Sequence, residues 1–314
     1  FDDLEVRRPD VFLGVDCENL NELTGQVMSA FERYLQEHKT DAVIVVDDLA
    51  STMAAAIVTK KQGILLAHLV AGTRSFDITM PKEINRLVID GLSDLLFTAG
   101  MGSQSTASRE GSQERVYMVG NILMDTLRHN RGKLKPPAVP SLPRPLQWET
   151  APFLVFTLNR KALLADEENL AKMLQAIGEH AQGMAVYAPL RGRAKEVAER
   201  ILAATHTPSP ITMIPPLSYP EFGWLTAHAK GIITDSGNVA EEATFCCVPC
   251  ITLNDYTEHQ ETVTIGSNVL VGSDTAKLHT ALADIMAGRW KPCALPDKWD
   301  GHTAERIASI LLAD

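Results

Sequence analysis

The sequence lacks two features that would each point to a class of partner. It has no excess of positive charge, since 29 Lys and Arg stand against 39 Asp and Glu, a formal net charge of -10. Lys and Arg neutralise the phosphates of nucleic acids and lipids, so this balance disfavours nonspecific binding to either. No apolar run approaches the roughly 20 residues of a membrane-spanning helix. We therefore expect a protein without nucleic-acid or membrane partners.

Cysteine usage and the N-terminal segment restrict the class further. The five cysteines are odd in number, which argues against a disulfide framework. Cys246, Cys247 and Cys250 form a cluster, but no further ligand stands near them at metal-site spacing, so we interpret them as small buried side chains and expect no metal. Residues 1–5 lack the basic start and apolar core of a signal peptide. The sequence predicts a cytoplasmic protein and, without an initiator Met, residues upstream.

Short runs of Val, Ile and Leu alternate with amphipathic stretches along most of the chain. Continuous apolar runs are typical of strands covered on both faces, and their alternation with helices predicts a parallel α/β sheet. We expect strands over residues 42–46, 64–68, 94–97, 115–118, 153–157, 184–187, 211–214, 231–234 and 248–253. We expect helices over residues 51–61, 81–90, 167–180, 195–204, 275–287 and 302–312.

A proline-rich segment interrupts this alternation. Five prolines lie between residues 133 and 148, a density that cannot continue as helix or central strand and therefore predicts a linker. We expect an N-terminal Rossmann-like domain over 1–132, a linker over 133–150, a nucleotide-binding domain over 151–300, and a helix over 301–314 that packs back on the first domain. The predicted fold class is α/β, with two doubly wound domains facing across a cleft and ligands at the strand ends.

Residues 235–243, with the sequence DSGNVAEEA, carry the strongest local signal. They follow an apolar run and open a helix with a Ser-Gly turn, where backbone N–H groups and the positive helix end suit a phosphate. Glu241 and Glu242 lie one turn later and are suited to accept hydrogen bonds from sugar or ribose hydroxyls. The alternative interpretation is a capped helix with two solvated acids.

The polar residues at the other predicted strand ends match a known pattern. The chain resembles the UDP-N-acetylglucosamine 2-epimerase family, which has a two-domain GT-B-like fold, and the resemblance covers nearly the whole sequence. The matching segments are residues 46–52, 68–75, 81–86, 119–121, 219–222, 235–243 and 257–261. The family begins with a further strand that precedes this sequence, so we expect either a truncated chain or an unusual relative.

The resemblance implies an isomerase that supplies precursors for cell-surface polysaccharides. In the family, the proton at sugar C2 is removed, UDP is expelled from C1, and the resulting glycal is re-protonated on the opposite face before UDP adds back. The family uses no redox cofactor, and the resemblance implies a homodimer. By position, Asp48 and Glu83 match catalytic carboxylates of the family. The positions that match nucleotide contacts or the basic motif residue are Arg160, Ser236, Gly237, Glu242 and Glu258.

Several positions depart from the family pattern. Val70 stands where the family has a glutamate, Asn159 replaces a histidine, Lys82 replaces the first of two acids, and Asn254 replaces an arginine. A valine cannot transfer a proton, and neutral asparagine cannot act as a general acid. Two other functions therefore stay open: a degenerate relative that binds a nucleotide sugar without converting it, and a GT-B glycosyltransferase.

Each catalytic candidate also has a structural interpretation. In that interpretation Asp48 would cap the helix that follows it, and Glu83 would be an acid favoured in a first helical turn. His68 ends a predicted strand, where a core histidine bonded to backbone is the stronger interpretation. For Arg86 a structural ion pair is the stronger interpretation.

Overall fold

The computed structural model describes residues 4–110, 115–139, 148, 150–181, 183–205 and 208–313. The chain folds into two compact units. The first unit comprises Arg7–Asp125 and Asp297–Asp314, and the second comprises Phe1–Val6 and Thr126–Pro296. The domain boundaries expected at residues 132, 150 and 300 stay predictions, and residues 140–147 and 149 of the expected linker lie outside the described residues.

The first unit is built on a parallel sheet of four strands in the order β1-β2-β3-β4. The strands are β1 (Ala42–Val46), β2 (Leu65–Ala71), β3 (Leu95–Thr98) and β4 (Val116–Met118). The helices that precede or connect them are α1 (Leu20–Glu37), α2 (Ala50–Lys61), α3 (Pro81–Leu92) and α4 (Met101–Glu110). Helix α5 (Ile122–Asn130) then carries the chain from the first unit into the second.

The second unit contains a parallel sheet of six strands in the order β10-β9-β8-β5-β6-β7. The strands are β5 (Phe153–Phe156), β6 (Ala185–Ala188), β7 (Ile211–Met213), β8 (Gly231–Thr234), β9 (Cys250–Thr252) and β10 (Asn268–Leu270). The helices are α6 (Lys161–Ala165), α7 (Glu167–Ala181), α8 (Gly192–Ala204), α9 (Tyr219–His228), α10 (Gly237–Cys246), α11 (Glu261–Thr264) and α12 (Thr275–Met286).

The predicted α/β class is confirmed, and each expected strand is present within a few residues of its expected position. Strand β5 shows why the apolar runs are continuous. Leu154 and Phe156 pack into one hydrophobic cluster, whereas Phe153 and Val155 pack into another, so consecutive side chains are buried on opposite faces. Helices α1, α4, α5 and α6 and strand β10 were not expected. Strand β10 has three residues, too few for its pattern to be distinguished from a loop.

The last helix, α13 (Thr303–Ala313), belongs to the first unit. Its Ile307 packs in a cluster with Ala67 and Phe97 of the four-stranded sheet. The carboxylate of Asp125 accepts hydrogen bonds from the N–H groups of Thr303 at 3.0 Å and Ala304 at 2.8 Å. A side chain from α5 thus satisfies two amides that the first turn of α13 leaves unpaired. None of the helices in the described part of the chain has the length and apolar character needed to cross a bilayer.

Replacing Asp125 by alanine tests this cap. Asp125→Ala removes both acceptors, which we expect to cost about 1–2 kcal/mol. Hydrogen exchange of α13 amides should accelerate roughly 5- to 30-fold, while Asp125→Asn, which keeps one acceptor, should have a smaller effect. The exposed Asp41→Ala serves as the control. Unchanged exchange of α13 in Asp125→Ala would contradict the assignment of Asp125 as its cap.

Candidate active site

The strand order of the second unit locates a ligand site. The chain runs from β5 outward to β7 and then returns to place β8 on the other side of β5, so the order reverses between β5 and β8. Ligands of open α/β sheets bind at the carboxyl ends of the strands at such a reversal. Asn159 and Arg160 follow β5, and Asp235 and Ser236 follow β8. The predicted motif therefore lies at the switch point of this sheet.

Asp235 fastens the two strand ends together. One of its carboxylate oxygens accepts the N–H groups of Asn159 at 2.7 Å and Arg160 at 2.5 Å. The Arg160 guanidinium donates to the side-chain oxygen of Asn254 at 2.6 Å and lies 5.8 Å from the centre of the Tyr256 ring. Asn254 in turn donates to the Asp235 carbonyl at 3.0 Å. These bonds fix Arg160 at the edge of the site, in a cation–π arrangement.

Ser236 is the N-cap of α10, and its hydroxyl accepts a long hydrogen bond of 3.5 Å from the N–H of Val239. Gly237 and Asn238 follow and are exposed to solvent. A side chain at Gly237 would meet no atom within 4 Å, so the space in front of this helix end is open. The predicted Ser-Gly turn is present, and its amides suit an anion.

Two adjoining cavities open at this helix end, and both are lined by Asn159, Asp235 and Ser236. One, of about 400 Å³, has a polar lining that includes Arg160, Gly237, Glu241, Glu258 and His259. The other, of about 300 Å³, has an apolar wall formed by Pro189, Leu190, Pro216, Leu217, Phe222 and Val239. An apolar cleft beside a polar one, with helix amides between them, is suited to a flat base on one side and phosphates or sugar on the other.

The polar cavity contains more acids than cations. Asp235, Glu241 and Glu258 line it together with Arg160 and His259. The imidazole of His259 lies 3.6 Å from the carboxylate of Glu241, and both side chains are buried. We therefore expect the amides of α10, rather than a cluster of side-chain cations, to bind a phosphate in this cavity.

The structure places Glu242 apart from the other predicted contacts, on the buried face of α10. Burial, together with the charge of Glu241, raises the pKa of Glu242 to about 7. Burial and the charge of Glu242 raise the pKa of Tyr219. Within the described residues, one carboxylate oxygen of Glu242 and the hydroxyl of Tyr219 are buried without a hydrogen-bond partner. Two unsatisfied groups of this kind are costly unless a water or a ligand hydroxyl bonds to them.

The first unit carries a second group of charged residues along α3. Glu83, Arg86 and Asp90 are buried on one face of this helix, at intervals of three and four residues. Arg86 lies between two carboxylates, with its Nε and Nη2 at 2.9 and 2.6 Å from Asp48 and its Nη1 at 3.3 Å from Glu83. Lys82 approaches the other oxygen of Asp48 at 3.0 Å. The expected structural ion pair of Arg86 thus joins both predicted catalytic carboxylates.

Glu83 is more than a first-turn acid. Its carboxylate accepts the N–H and hydroxyl of Ser75 at 2.8 and 2.9 Å and the N–H of Phe76 at 3.1 Å. Burial alone would raise the pKa of Glu83, but these hydrogen bonds and the charge of Arg86 outweigh it and hold the pKa below its ordinary value. Glu83 is therefore an ionised group that fastens the loop after β2 to α3.

Asp90 and Arg74 are site residues that sequence reasoning missed. The carboxylate of Asp90 accepts from His68 at 2.5 Å, from Arg74 at 2.7 Å and from the N–H of Gly72 at 2.9 Å. The spacing of Glu83, Arg86 and Asp90 could have indicated this group from the sequence. It places charged residues on the helix face where apolar residues are normally buried. In the described part of the chain, no group of three or more His, Cys, Asp or Glu residues is arranged to hold a metal ion.

Comparison with known proteins agrees with this geometry. The family model described as UDP-N-acetylglucosamine 2-epimerase matches residues 1–312. The chain belongs to the UDP-N-acetylglucosamine 2-epimerase family. A UDP-N-acetylglucosamine 2-epimerase of Methanocaldococcus jannaschii is 34% identical over 317 residues, which cover 99% of this chain and 86% of the relative. A UDP-2,3-diacetamido-2,3-dideoxy-D-glucuronate 2-epimerase of Pseudomonas aeruginosa is 32% identical over 278 residues, covering 87% and 75%.

Solved structures of family members have the same fold. The crystal structure of the M. jannaschii enzyme in complex with UDP-GlcNAc and UDP matches with a TM-score of 0.80 and 31% identity, covering 100% of this chain and 87% of that one. The enzyme from Neisseria meningitidis bound to UDP-GlcNAc matches with a TM-score of 0.81 and 24% identity, covering 98% and 86%. The second likeness supports the fold alone.

Replacing Glu242 by glutamine tests its protonation. Because the folded-state pKa of about 7 lies above the ordinary value of 4.5, the folded protein holds a proton that the unfolded chain releases. The stability that this proton contributes is complete below about pH 4.5 and is lost as the pH rises through 7. Glu242→Gln stays neutral, so its free energy of unfolding at pH 8.5 should exceed that of the wild type by about 3 kcal/mol.

Urea unfolding followed by tryptophan fluorescence measures this difference at pH 5 and pH 8.5. The two proteins should differ little at pH 5, and the exposed Glu196→Gln should behave as the wild type at both values. If Glu242→Gln lost stability in parallel with the wild type as the pH rose, Glu242 would not be the group that holds this proton.

Proposed function

We propose that this protein is a UDP-sugar 2-epimerase that inverts C2 by elimination and re-addition of UDP. The observation that carries the proposal is the pair of cavities that share Asn159, Asp235 and Ser236 at the start of α10, in a chain of this family. UDP-N-acetylglucosamine is the substrate to test first, because the relatives at 34% identity and the solved complexes are named for it. The P. aeruginosa relative, named for a modified sugar, makes such sugars the second choice.

The nucleotide-binding residues are proposed from their places around the cavities. The amides of Ser236 and Gly237 would bind the diphosphate, and Arg160 and Glu258 line the same polar cavity. The apolar wall beside Val239 would take the base. Glu242 stays a proposed nucleotide contact, because its unpartnered oxygen would accept a ribose hydroxyl.

Asp48 and Glu83 are proposed as carboxylates of the catalytic set. Elimination leaves positive character at C1 as UDP departs, and ionised carboxylates stabilise such charge. Removal and return of the C2 proton on opposite faces needs two groups that transfer protons. Arg86 holds Asp48 and Glu83 in one fixed arrangement, which is the preorganisation that such chemistry requires.

A second function is favoured by the residues at two positions of the family motifs. Val70 and Asn159 stand where the family has a glutamate and a histidine, and neither side chain transfers protons at neutral pH. A protein that binds a nucleotide sugar without converting it would keep the cavities around α10 and lose these groups. The proposed epimerase must instead use the carboxylates that remain in the first unit.

We also propose a homodimer and a cytoplasmic location. The dimer is implied by the resemblance, and exposed Phe12, Ile44 and Val46 supply apolar surface of the kind found at interfaces. The location is supported by the cysteines, all five of which lie in described residues and are free thiols, as expected in a reducing compartment.

Incubation with UDP-N-acetylglucosamine in deuterated water tests the proposed function. We expect deuterium at C2, appearance of the 2-epimer, and release of UDP as an intermediate, measured by NMR and mass spectrometry. Saturable binding of UDP by calorimetry without any C2 exchange would reject the epimerase and support the binding protein. Transfer of the sugar to an added acceptor would instead support a glycosyltransferase.

Position 70 provides a test of what the family glutamate contributes. Val70 has a φ of 70°, a left-handed conformation that strains a β-branched residue. Val70→Glu removes that branching and adds a group able to transfer a proton, so the rate of C2 exchange should rise at least about tenfold. Val70→Gln has the same shape without a titratable group and should not raise it. Equal rates in the two variants would show that a carboxylate at this position is not used.

A further inference from the structure

Asp47 and Asp48 follow β1, and Glu83 lies in the first turn of α3. Two of these three carboxylates are committed to partners. Glu83 accepts hydrogen bonds from Ser75 and Phe76 and faces Arg86. Asp48 is buried, with Arg86 on one oxygen and Lys82 at 3.0 Å from the other. A carboxylate held by permanent cations and backbone amides is a weak proton acceptor, because taking up a proton would sacrifice those bonds.

Asp47 differs from both. Its side chain is exposed to solvent. Its carboxylate accepts a hydrogen bond from the N–H of Asp48. Partial desolvation by the surrounding protein and the charge of Asp48 raise the pKa of Asp47, while Lys82 and Arg86 act against the rise. A raised pKa brings a carboxyl group closer to the working pH of a general acid or base.

The backbone of Asp47 is held in an uncommon conformation. Its φ is 65°, in the left-handed region that few residues other than glycine, asparagine and aspartate adopt. Its N–H donates to the Leu69 carbonyl at 3.2 Å, and its own carbonyl accepts from Nε2 of His68 at 3.1 Å. The carbonyl of the next residue, Asp48, accepts from the side chain of Asn85 at 2.8 Å. Both peptide oxygens of this turn are therefore fixed by side chains.

His68 contacts both Asp90 and this turn. Its Nδ1 lies 2.5 Å from a carboxylate oxygen of Asp90, and its Nε2 lies 3.1 Å from the Asp47 carbonyl. Burial raises the pKa of Asp90, but its interactions with His68 and Arg74 outweigh that effect and hold the pKa below its ordinary value. The buried His68 ring thus connects the turn that carries Asp47 to α3.

We propose that Asp47, whose turn is held by the contact between His68 and the Asp47 carbonyl, is the carboxylate that accepts the C2 proton on one face of the sugar. This inference rests on the proposed epimerase function. The C2–H bond breaks and its electron pair forms the C1–C2 double bond. The C1–O bond breaks at the same time, and its electron pair leaves with UDP. As UDP returns, its oxygen re-forms the bond to C1, and C2 takes a proton on the opposite face from a water molecule. The hydroxide left by that water is neutralised by the proton held on Asp47, which restores the carboxylate.

Asp47→Asn is the decisive variant, because asparagine tolerates the left-handed conformation and the fold should be retained. We expect C2 exchange from UDP-N-acetylglucosamine to fall at least about 100-fold, with KM changed less than about threefold. Asp47→Glu should recover part of the rate. Asp41→Asn, an exposed residue just before β1, is the matched control and should exchange as the wild type.

The possible outcomes separate this inference from the proposed function. An active wild type with an equally active Asp47→Asn overturns the role of Asp47 and leaves the epimerase standing. An inactive wild type overturns both. Loss of activity in Asp47→Asn with recovery in Asp47→Glu supports the role of Asp47, whereas loss in both variants overturns it.

Discussion

The first unit depends on a guanidinium buried between two carboxylates. Arg86 is 5% exposed and bonds to Asp48 at the end of β1 and to Glu83 on its own helix. Removing one member of such a group leaves an uncompensated buried charge, at a cost of about 3–5 kcal/mol. Through Glu83 the same group holds Ser75 and Phe76. The position of both loops relative to α3 therefore follows from a balance of buried charge, and only secondarily from apolar packing.

The second unit organises its site by a different constraint, which is the satisfaction of backbone groups. Asp235 accepts the amides that follow β5, and Ser236 caps α10. The acids in the polar cavity make the backbone groups important. Glu241 and Glu258 would repel an anion that the helix amides attract. The proposed binding of a diphosphate there would depend on the directed N–H groups and the helix dipole.

The sequence predicted every strand of the described residues except β10 and predicted the helix start at Ser236, but it did not predict which charged side chains contact one another. Apolar runs set the strands, and the Ser236-Gly237 turn required only local information. Asp90 and Arg74 escaped notice because their roles depend on contacts across 16–22 residues, to His68 and to each other. The nucleotide contact of Glu242 stays a prediction, and the sequence did not predict that the same side chain would be buried near Tyr219. Residue spacing predicts which side chains share a helix face, but it does not predict which residues of other elements that face contacts.

The chain belongs to the family, yet position 70 carries a valine where the family has a glutamate. The register between β2 and β3 shifts between Leu69 and Ala71, and a side chain at Gly72 would come within 2.2 Å of the Ser103 carbonyl. Together with the bond from Gly72 to Asp90, these constraints fix the backbone around position 70 whatever side chain it carries. Val70 has a positive φ within this constrained segment. In the proposed epimerase, a backbone held in this way would keep the place of the family glutamate although the side chain is a valine, so the proton transfers would fall to other groups.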